Sequence, residues 1–284
     1  MIRPRRTETP PGNGREMQRA RGLWRDPWWL ASLPLVLFLA LPLLALILSI
    51  SPGQLLENLA KPQVRQAILI SLKTTLITTG ITIFFGTPLA YVLARRRFRF
   101  RRALDTLVDL PIVLPPAVAG VALLIAFGRQ GVIGGWLSSL GLQIAFTQTA
   151  VIMAQTFVAA PFYIKAAGIG FAAVDAELEQ AAAIDGASSW QAFRHVTVPL
   201  AWTAMLSGAV MTWARALGEF GATILFAGNY LGRTQTMPLA IYIGFELDLN
   251  IALTLAAILV LISFLVLFLV KGILHRELYT MPGA

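Results

Sequence analysis

The chain has 284 residues, of which 57% are hydrophobic and only 13% are charged, so it carries far more apolar surface than a water-soluble protein of this length buries. With no cysteine and only two histidines, disulfides and a Cys/His zinc site are excluded, and no metal site is predicted. The net charge of +9 is concentrated in short arginine-rich stretches beside apolar runs, which favours contact with a membrane surface over nucleic-acid binding.

The N-terminal 26 residues form a polar segment rich in proline, glycine and arginine. Because this segment has almost nothing apolar to bury, residues 1–26 are predicted to be a disordered basic tail. The apolar run that follows is long enough to cross a bilayer and has no small-residue cleavage pattern, so it is predicted to be an uncleaved first span. Residues 27–284 are then predicted to form one transmembrane domain.

Apolar runs of about 20 residues, the length that a helix needs to cross the hydrocarbon core, recur along the chain. They predict an all-α membrane protein with about six transmembrane helices, near residues 28–50, 67–94, 106–127, 149–172, 199–227 and 250–272. Arginine is abundant in the tail and in the 95–102 loop but sparse in the alternate loops. The positive-inside rule therefore predicts a multi-pass inner-membrane protein with both termini in the cytoplasm.

Two consecutive prolines, Pro115 and Pro116, interrupt the third predicted span. Proline lacks a backbone N–H and bends helices, and backbone groups that are freed inside a bilayer must face protein or water. Pro115 and Pro116 are therefore candidates for a kinked helix that lines a translocation path. A kink with a purely structural role is the alternative.

Residues 175–200 are too polar to cross the membrane, although their alanine-rich start favours a helix. The sequence predicts a helix from about Ala176 to Ile184 that is stopped by Gly186, which can adopt the left-handed conformation of a helix C-cap. A second helix is predicted to begin with Ser188 or Ser189 as its N-cap. A projecting helix–turn–helix of this kind is interpreted as a docking element, and an ordinary solvated loop is the alternative.

The fifth predicted span contains two ionisable residues, Arg215 and Glu219, placed four residues apart on one helix face. Ionisable side chains inside a span are costly and mark candidate functional sites. The pair either orders the helix as a neutral ion pair, or Arg215 gates or stabilises an anionic path. Two further cations, Lys73 and Lys165, lie nearer to span ends and are predicted to snorkel toward the interface.

The 175–200 segment resembles the cytoplasmic loop of the permease subunits of binding-protein-dependent ABC importers, which reads E-A-A, three residues, Gly, nine residues and I-x-L-P. Gln180, Ala181 and Ala182 occupy the E-A-A place, Gly186 is the glycine, and residues 196–199 are the closing element. Gln180 replaces the usual glutamate, and the neighbouring Glu179 is a candidate substitute. The resemblance implies a type I ABC importer permease fold, with a coupling loop over about 175–199 that docks on an ATPase subunit. The implied coupling residues are Glu179, Gln180, Ala181, Ala182, Asp185, Gly186, Ala187 and Ser188.

Four further stretches resemble the molybdate/tungstate branch of that family, which is closely related to the sulfate/thiosulfate branch: residues 114–131, 154–167, 214–223 and 232–242. This resemblance implies an ATP-driven importer of molybdate, and of tungstate as a further cargo. A sulfate or thiosulfate importer and a passive anion channel are the alternatives.

The chain itself is not expected to be an enzyme. None of its lysines follows a glycine, which a phosphate-binding loop requires, and no histidine lies within a span to serve as the base of a hydrolase. The resemblance implies that ATP and Mg²⁺ are held by a separate subunit and that this chain binds no cofactor. The implied partners are a second copy of the chain, two ABC ATPase subunits, an extracytoplasmic oxyanion-binding protein and membrane lipid, with no nucleic acid.

Overall fold

The computed structural model describes residues 27–280, with side chains from residue 28 to residue 272. The predicted basic tail, residues 1–26, lies outside the described residues. Within 27–280 the secondary structure is helical, with no strand. Of the described residues, those up to Ser49 belong to one compact unit and those from Ile50 belong to a second.

The helices are numbered in chain order. The first unit contains α1 (Pro27–Leu48). The second unit contains α2 (Pro52–Ala60), α3 (Pro62–Arg95), α4 (Arg101–Val113), α5 (Pro116–Phe127), α6 (Gly134–Ser139), α7 (Gln148–Ala173), α8 (Ala176–Ile184), α9 (Ser189–Ala192), a π-helical turn (Phe193–Thr197), α10 (Val198–Leu217), α11 (Gly221–Ala227), α12 (Met237–Leu247) and α13 (Leu249–Thr280).

Five helical stretches of the described residues are long and apolar enough to cross a bilayer, and the bent pair α4–α5 raises the number to six if it is one span. The expectation of an all-α protein with about six spans is therefore confirmed. Helix α3 has 34 residues and is about 50 Å long. Because the hydrocarbon core is only about 30 Å thick, α3 extends beyond it.

The third span is broken rather than kinked. Helix α4 ends at Val113, α5 begins at Pro116, and the two helices differ in direction by 117°. Two consecutive prolines remove two backbone donors, and each proline drives the residue before it away from the helical conformation. Leu114 and Pro115 accordingly have ψ angles of 135° and 133°, so the chain turns sharply before the next helix starts.

The fifth span is also shorter than predicted. Helix α10 ends at Leu217, residues 218–220 leave the helical path, and α11 begins at Gly221. The run 199–227 is predominantly apolar and its only charged residues are the ion pair, so hydropathy alone predicts one helix. The break positions Glu219 between two helices, which corrects the expectation that Arg215 and Glu219 share one helix face.

Helix α7 is central to the second unit, where it packs along α3 and α10 and also contacts α4, α5 and α11. Small residues permit these close contacts. A Cβ atom on Gly170 would lie 2.6 Å from the Cβ of Ala204, and one on Gly208 would lie 2.8 Å from the Cβ of Ala166. Because lipid tails are as apolar as the helices, such close packing is a principal source of helix association in a membrane.

Candidate functional site

The first helix of the 175–200 segment ends in a left-handed glycine cap. Helix α8 spans Ala176–Ile184 and Gly186 has a φ of +88°, which confirms both predictions. The N–H of Gly186 donates to the carbonyl of Ala183 at 3.1 Å, and the N–H of Ala187 donates to the carbonyl of Ala182 at 2.9 Å. This pair of hydrogen bonds is a Schellman motif, which stops the helix by satisfying its last carbonyls.

The second helix begins with a reciprocal cap. The hydroxyl of Ser188 accepts the N–H of Gln191 at 3.3 Å, and the side chain of Gln191 accepts the N–H of Ser188 at 2.8 Å. Ser188 is thus the N-cap of α9, one of the two residues predicted. The π-helical turn Phe193–Thr197 then joins α9 to α10 without a break. The second helix of the segment is therefore continuous with a membrane span.

Glu179 attaches α8 to the rest of the chain. Its Oε1 atom accepts the hydroxyl of Thr197 at 2.5 Å and the Nη2 atom of Arg95 at 3.4 Å. The same Nη2 atom donates to the carbonyl of Val174 at 2.6 Å. Sequence reasoning missed Arg95 and Thr197 as site residues. Arg95 is 84 residues from Glu179 along the chain, and the sequence analysis used it only to assign the cytoplasmic side of the membrane.

The other predicted coupling residues do not face the body of the protein. Gln180, Asp185 and Ser188 are exposed, and Ile184 is 86% exposed. Ala181 is exposed as well, whereas Ala182 and Ala187 are partly covered. Within the part of the chain that the structure describes, α8 buries none of its nine residues. An open groove of about 360 Å³ lies beside this surface, between Gly186 and His195.

Aromatic rings connect the π-helical turn to two membrane spans. The ring of Phe193 lies 4.9 Å from that of Tyr91 on α3 and 5.9 Å from that of Phe171 on α7, measured between centroids. The ring of Trp190 on α9 contacts Phe193 at 5.5 Å. These contacts, together with those of Glu179, tie the 175–200 segment to α3, α7 and α10.

Arg215 and Glu219 form a close ion pair at the break between α10 and α11. The Nη1 atom of Arg215 lies 2.7 Å from Oε2 of Glu219, and the two side chains are 29% and 1% exposed. The other carboxylate oxygen, Oε1, accepts the N–H of Ala222 at 2.8 Å. Glu219 therefore uses both oxygens, one to hold Arg215 and one to satisfy a free N–H in the first turn of α11.

Helix α5 crosses α11 next to this ion pair. A Cβ on Gly120 would lie 2.8 Å from the carbonyl oxygen of Ala222, and one on Gly221 would lie 2.9 Å from the Cβ of Pro116. The structure thus brings Pro116 and the Arg215–Glu219 break to the same helix crossing. Pro115 is exposed and acts as the N-cap of α5.

Lys165 is held by two carboxylates instead of reaching alone toward the interface. Its Nζ atom lies 2.7 Å from Oδ1 of Asp105 and 2.8 Å from Oδ2 of Asp109. The two aspartates are four residues apart, on one face of α4, and this spacing was an available signal of a shared partner. The other lysine predicted to snorkel, Lys73, donates to the side chain of Gln148 at 3.2 Å.

The chain resembles known transport proteins over most of its length. It is 41% identical over 231 residues to the molybdenum transport system permease protein ModB of Mycobacterium tuberculosis, covering 81% of this chain and 88% of that protein. It is 38% identical over 225 residues to the sulfate transport system permease protein CysW of Escherichia coli, covering 78% and 77%.

The fold also matches solved structures. A chain of a bacterial ABC transporter involved in the import of the acidic polysaccharide alginate aligns with a TM-score of 0.67 at 18% identity, covering 92% of this chain and 98% of that chain. The family model for a binding-protein-dependent transport system inner membrane component matches residues 86–278. This multi-pass membrane protein therefore has the type I ABC importer permease fold and belongs to the family of binding-protein-dependent transport system inner membrane components.

Proposed function

We propose that this chain is the transmembrane subunit of an ATP-driven importer that carries molybdate, and tungstate as a related oxyanion, across the inner membrane. The 41% identity to a molybdenum permease supports this cargo, and the 38% identity to a sulfate permease keeps sulfate close behind it. Both cargoes are tetrahedral oxyanions, so a sulfate or thiosulfate importer is the second candidate.

The exposure of α8 is the observation that carries the importer function. An isolated helix of nine residues is marginal in water, and most helical stability in proteins comes from a packed face. Yet α8 buries no residue against the described part of the chain, and it presents Ile184 and small alanines outward. A partner surface that covers this face, such as that of an ATPase subunit, would supply the missing packing.

The contacts of the loop suggest how movement of such a partner would reach the membrane. Glu179 is bonded to Arg95 at the end of α3 and to Thr197 just before α10. Phe193 packs on the rings of Tyr91 and Phe171. A displacement of α8 would therefore reach α3, α7 and α10 through these contacts.

In this proposal two copies of the chain form a central pathway, and each copy docks one ATPase subunit on its cytoplasmic coupling loop. ATP and Mg²⁺ bind to the ATPase, and a substrate-loaded binding protein docks on the outer face. Closure of the ATPase pair draws the coupling loops together and opens the pathway outward, and hydrolysis resets it. The nucleotide thus shifts the population between two states of the permease.

Arg215 is the candidate contact for the anion along the pathway. Its guanidinium is partly exposed although Glu219 is buried, and a guanidinium has five N–H donors, more than one carboxylate can use. The remaining donors can hydrogen-bond an oxyanion. In this arrangement Glu219 positions Arg215 and caps α11, and Pro116 packs α5 against Gly221 at the start of α11.

The direct test is uptake of labelled molybdate into proteoliposomes that contain this chain with its ATPase and binding protein. We expect uptake to require ATP and to resist excess sulfate. Competition by sulfate would reassign the cargo to sulfate or thiosulfate, and equal flux without ATP would identify a passive anion channel instead.

In the same vesicles Ile184→Asp should abolish uptake while the thermal unfolding of the permease stays unchanged, because Ile184 is exposed within the chain.

A further inference from the structure

The connection between α3 and α4 contains the densest charge in the described part of the chain. Residues 95–102, here called the arginine loop, read RRRFRFRR and contain six arginines. The guanidinium of Arg95 is bonded to Val174 and Glu179. The other five arginines are all exposed: Arg96, Arg97, Arg99, Arg101 and Arg102.

These five arginines are not neutralised within the described side chains, residues 28–272. None of them forms an ion pair there, whereas Arg95, Lys165 and Arg215 all do. The aspartates that follow the loop on α4, Asp105 and Asp109, already bind Lys165. Like charges at this density repel one another, so an anionic partner outside the chain would relieve a substantial electrostatic strain.

The surroundings of the loop indicate which anion fits. The loop is a short connection between the membrane-spanning α3 and α4, which begins the next candidate span, so it lies on one face of the bilayer. Two phenylalanines alternate with the arginines and are exposed, Phe98 by 38% and Phe100 by 69%. Guanidinium groups bind phosphate oxygens in a bidentate manner, and aromatic rings beside basic residues insert at the boundary between headgroups and acyl chains. A phosphate attached to an acyl chain satisfies both kinds of side chain.

We propose that the arginine loop is a binding site for anionic phospholipid, with the arginines on the headgroup phosphates and with Phe98 and Phe100 in the acyl boundary. Basic clusters that adjoin a spanning helix are suited to such lipids. The site also bears on the coupling loop. Arg95, the first residue of the arginine loop, contacts Glu179 on α8. Lipid bound to the arginine loop therefore stabilises the position of Arg95, which anchors α8. The lipid site is independent of the cargo and of ATP.

The absence of cysteine from the chain permits a direct binding measurement. A single Ala103→Cys substitution, at an exposed position just after the loop, is labelled with a fluorophore in the full chain. The protein is placed in phosphatidylcholine nanodiscs that contain a small fraction of lipid with a nitroxide quencher on its acyl chain. In one sample this quencher lipid is phosphatidylglycerol, and in the other it is phosphatidylcholine at the same fraction. We expect the anionic lipid to quench several-fold more, and the difference to shrink at high salt.

Two triple variants separate the loop from general charge effects. Arg96→Gln, Arg97→Gln and Arg99→Gln together should remove the preference for phosphatidylglycerol, since each basic residue near an anionic surface contributes about fivefold to binding. The matched control Arg65→Gln, Arg129→Gln and Arg233→Gln removes the same charge outside the loop and should leave the preference unchanged. Unfolding temperatures of both variants in zwitterionic nanodiscs verify that the comparison is between folded proteins.

Three outcomes would overturn the proposal. Equal quenching by the two lipids in the unsubstituted loop would show that no headgroup is selected. Loss of the preference on adding inorganic phosphate at constant ionic strength would assign the arginines to a soluble oxyanion. A preference that persists in the loop variant would place the lipid contact elsewhere. Because no ATPase or cargo is present, none of these outcomes bears on the transport function.

Discussion

Two glutamates in this protein each join two helical segments, but they do so in different surroundings. Glu179 lies in the 175–200 segment, where its side chain is 22% exposed and pairs with Arg95 at 3.4 Å. Glu219 lies at the break in the fifth span, where its side chain is 1% exposed and pairs with Arg215 at 2.7 Å. The first contact holds a surface helix to the body of the protein, and the second holds an arginine beside a helix crossing inside it.

This difference in burial predicts different energetic roles. The Arg95–Glu179 pair is partly exposed on both sides and has the longer N–O distance, 3.4 Å, so its charges attract each other less strongly and water competes for both. In the Arg215–Glu219 pair the carboxylate of Glu219 is buried, so its charge depends much more on the partner that compensates it. The Arg95–Glu179 pair is therefore expected to contribute less to stability than the Arg215–Glu219 pair.

The largest effect is expected for Glu219→Ala. This change removes the acceptor for the N–H of Ala222 and leaves Arg215, whose side chain is 29% exposed, without its ion-pair partner, so it should lower the free energy of unfolding by about 2 kcal/mol. The measurement is denaturant unfolding in detergent micelles. Glu219→Gln is the matched control, because the amide oxygen can still accept the N–H of Ala222, and it should lose less. Equal stability of Glu219→Ala and the unsubstituted protein would contradict this account of the break.

The second expected effect separates transport from stability at the same pair. The double variant Arg215→Gln with Glu219→Gln leaves no unpaired buried charge, so its stability should recover relative to Arg215→Gln alone. Its ATP-driven oxyanion uptake should still fall about tenfold or more, the equivalent of one lost charged hydrogen bond. Uptake at the unsubstituted rate in the double variant would leave the ion pair with a structural role only.

The smallest effect is expected for Glu179→Gln, which removes the ion pair with Arg95 and keeps an acceptor for Thr197. Anchorage of α8 should weaken by about 1 kcal/mol at most, and amide hydrogen exchange of residues 181–187 should accelerate up to about fivefold. Glu177→Gln removes an exposed charge from the same helix, where no ion pair of Glu177 exists among the described side chains. Similar exchange rates in the two variants would rule out Glu179 as the anchor.

The form of the 175–200 segment was predictable because short-range chemistry specifies it. Gly186 tolerates a φ of +88° that other residues rarely adopt, and Ser188 and Gln191 form a cap within four residues of one another. The bounds of α8 followed from these signals. The π-helical turn Phe193–Thr197 did not, since its sequence carries no comparable signal and its position depends on the packing of Phe193 against α3 and α7.

The breaks in the third and fifth spans were less accessible to prediction. Pro115 and Pro116 predicted an interruption of the helix, but the 117° angle depends on the helices against which α4 and α5 pack. No proline marks the break at residues 218–220, where a buried carboxylate compensates for the interruption by binding the N–H of Ala222. Hydropathy averages over a window of this length and does not detect such a compensation.

Composition and periodicity were sufficient to establish an all-α membrane protein with about six spans, because the bilayer requires long apolar helices whatever their neighbours. Local capping chemistry was likewise sufficient for the helix–turn–helix at 175–200. Contacts between residues that are far apart in the chain, such as Arg95 with Glu179 or Lys165 with Asp105, arose only from the packing of α3, α4, α7 and α8. The physical reason is that hydropathy and caps act over a few neighbouring residues, whereas an ion pair forms wherever folding brings two charges within reach.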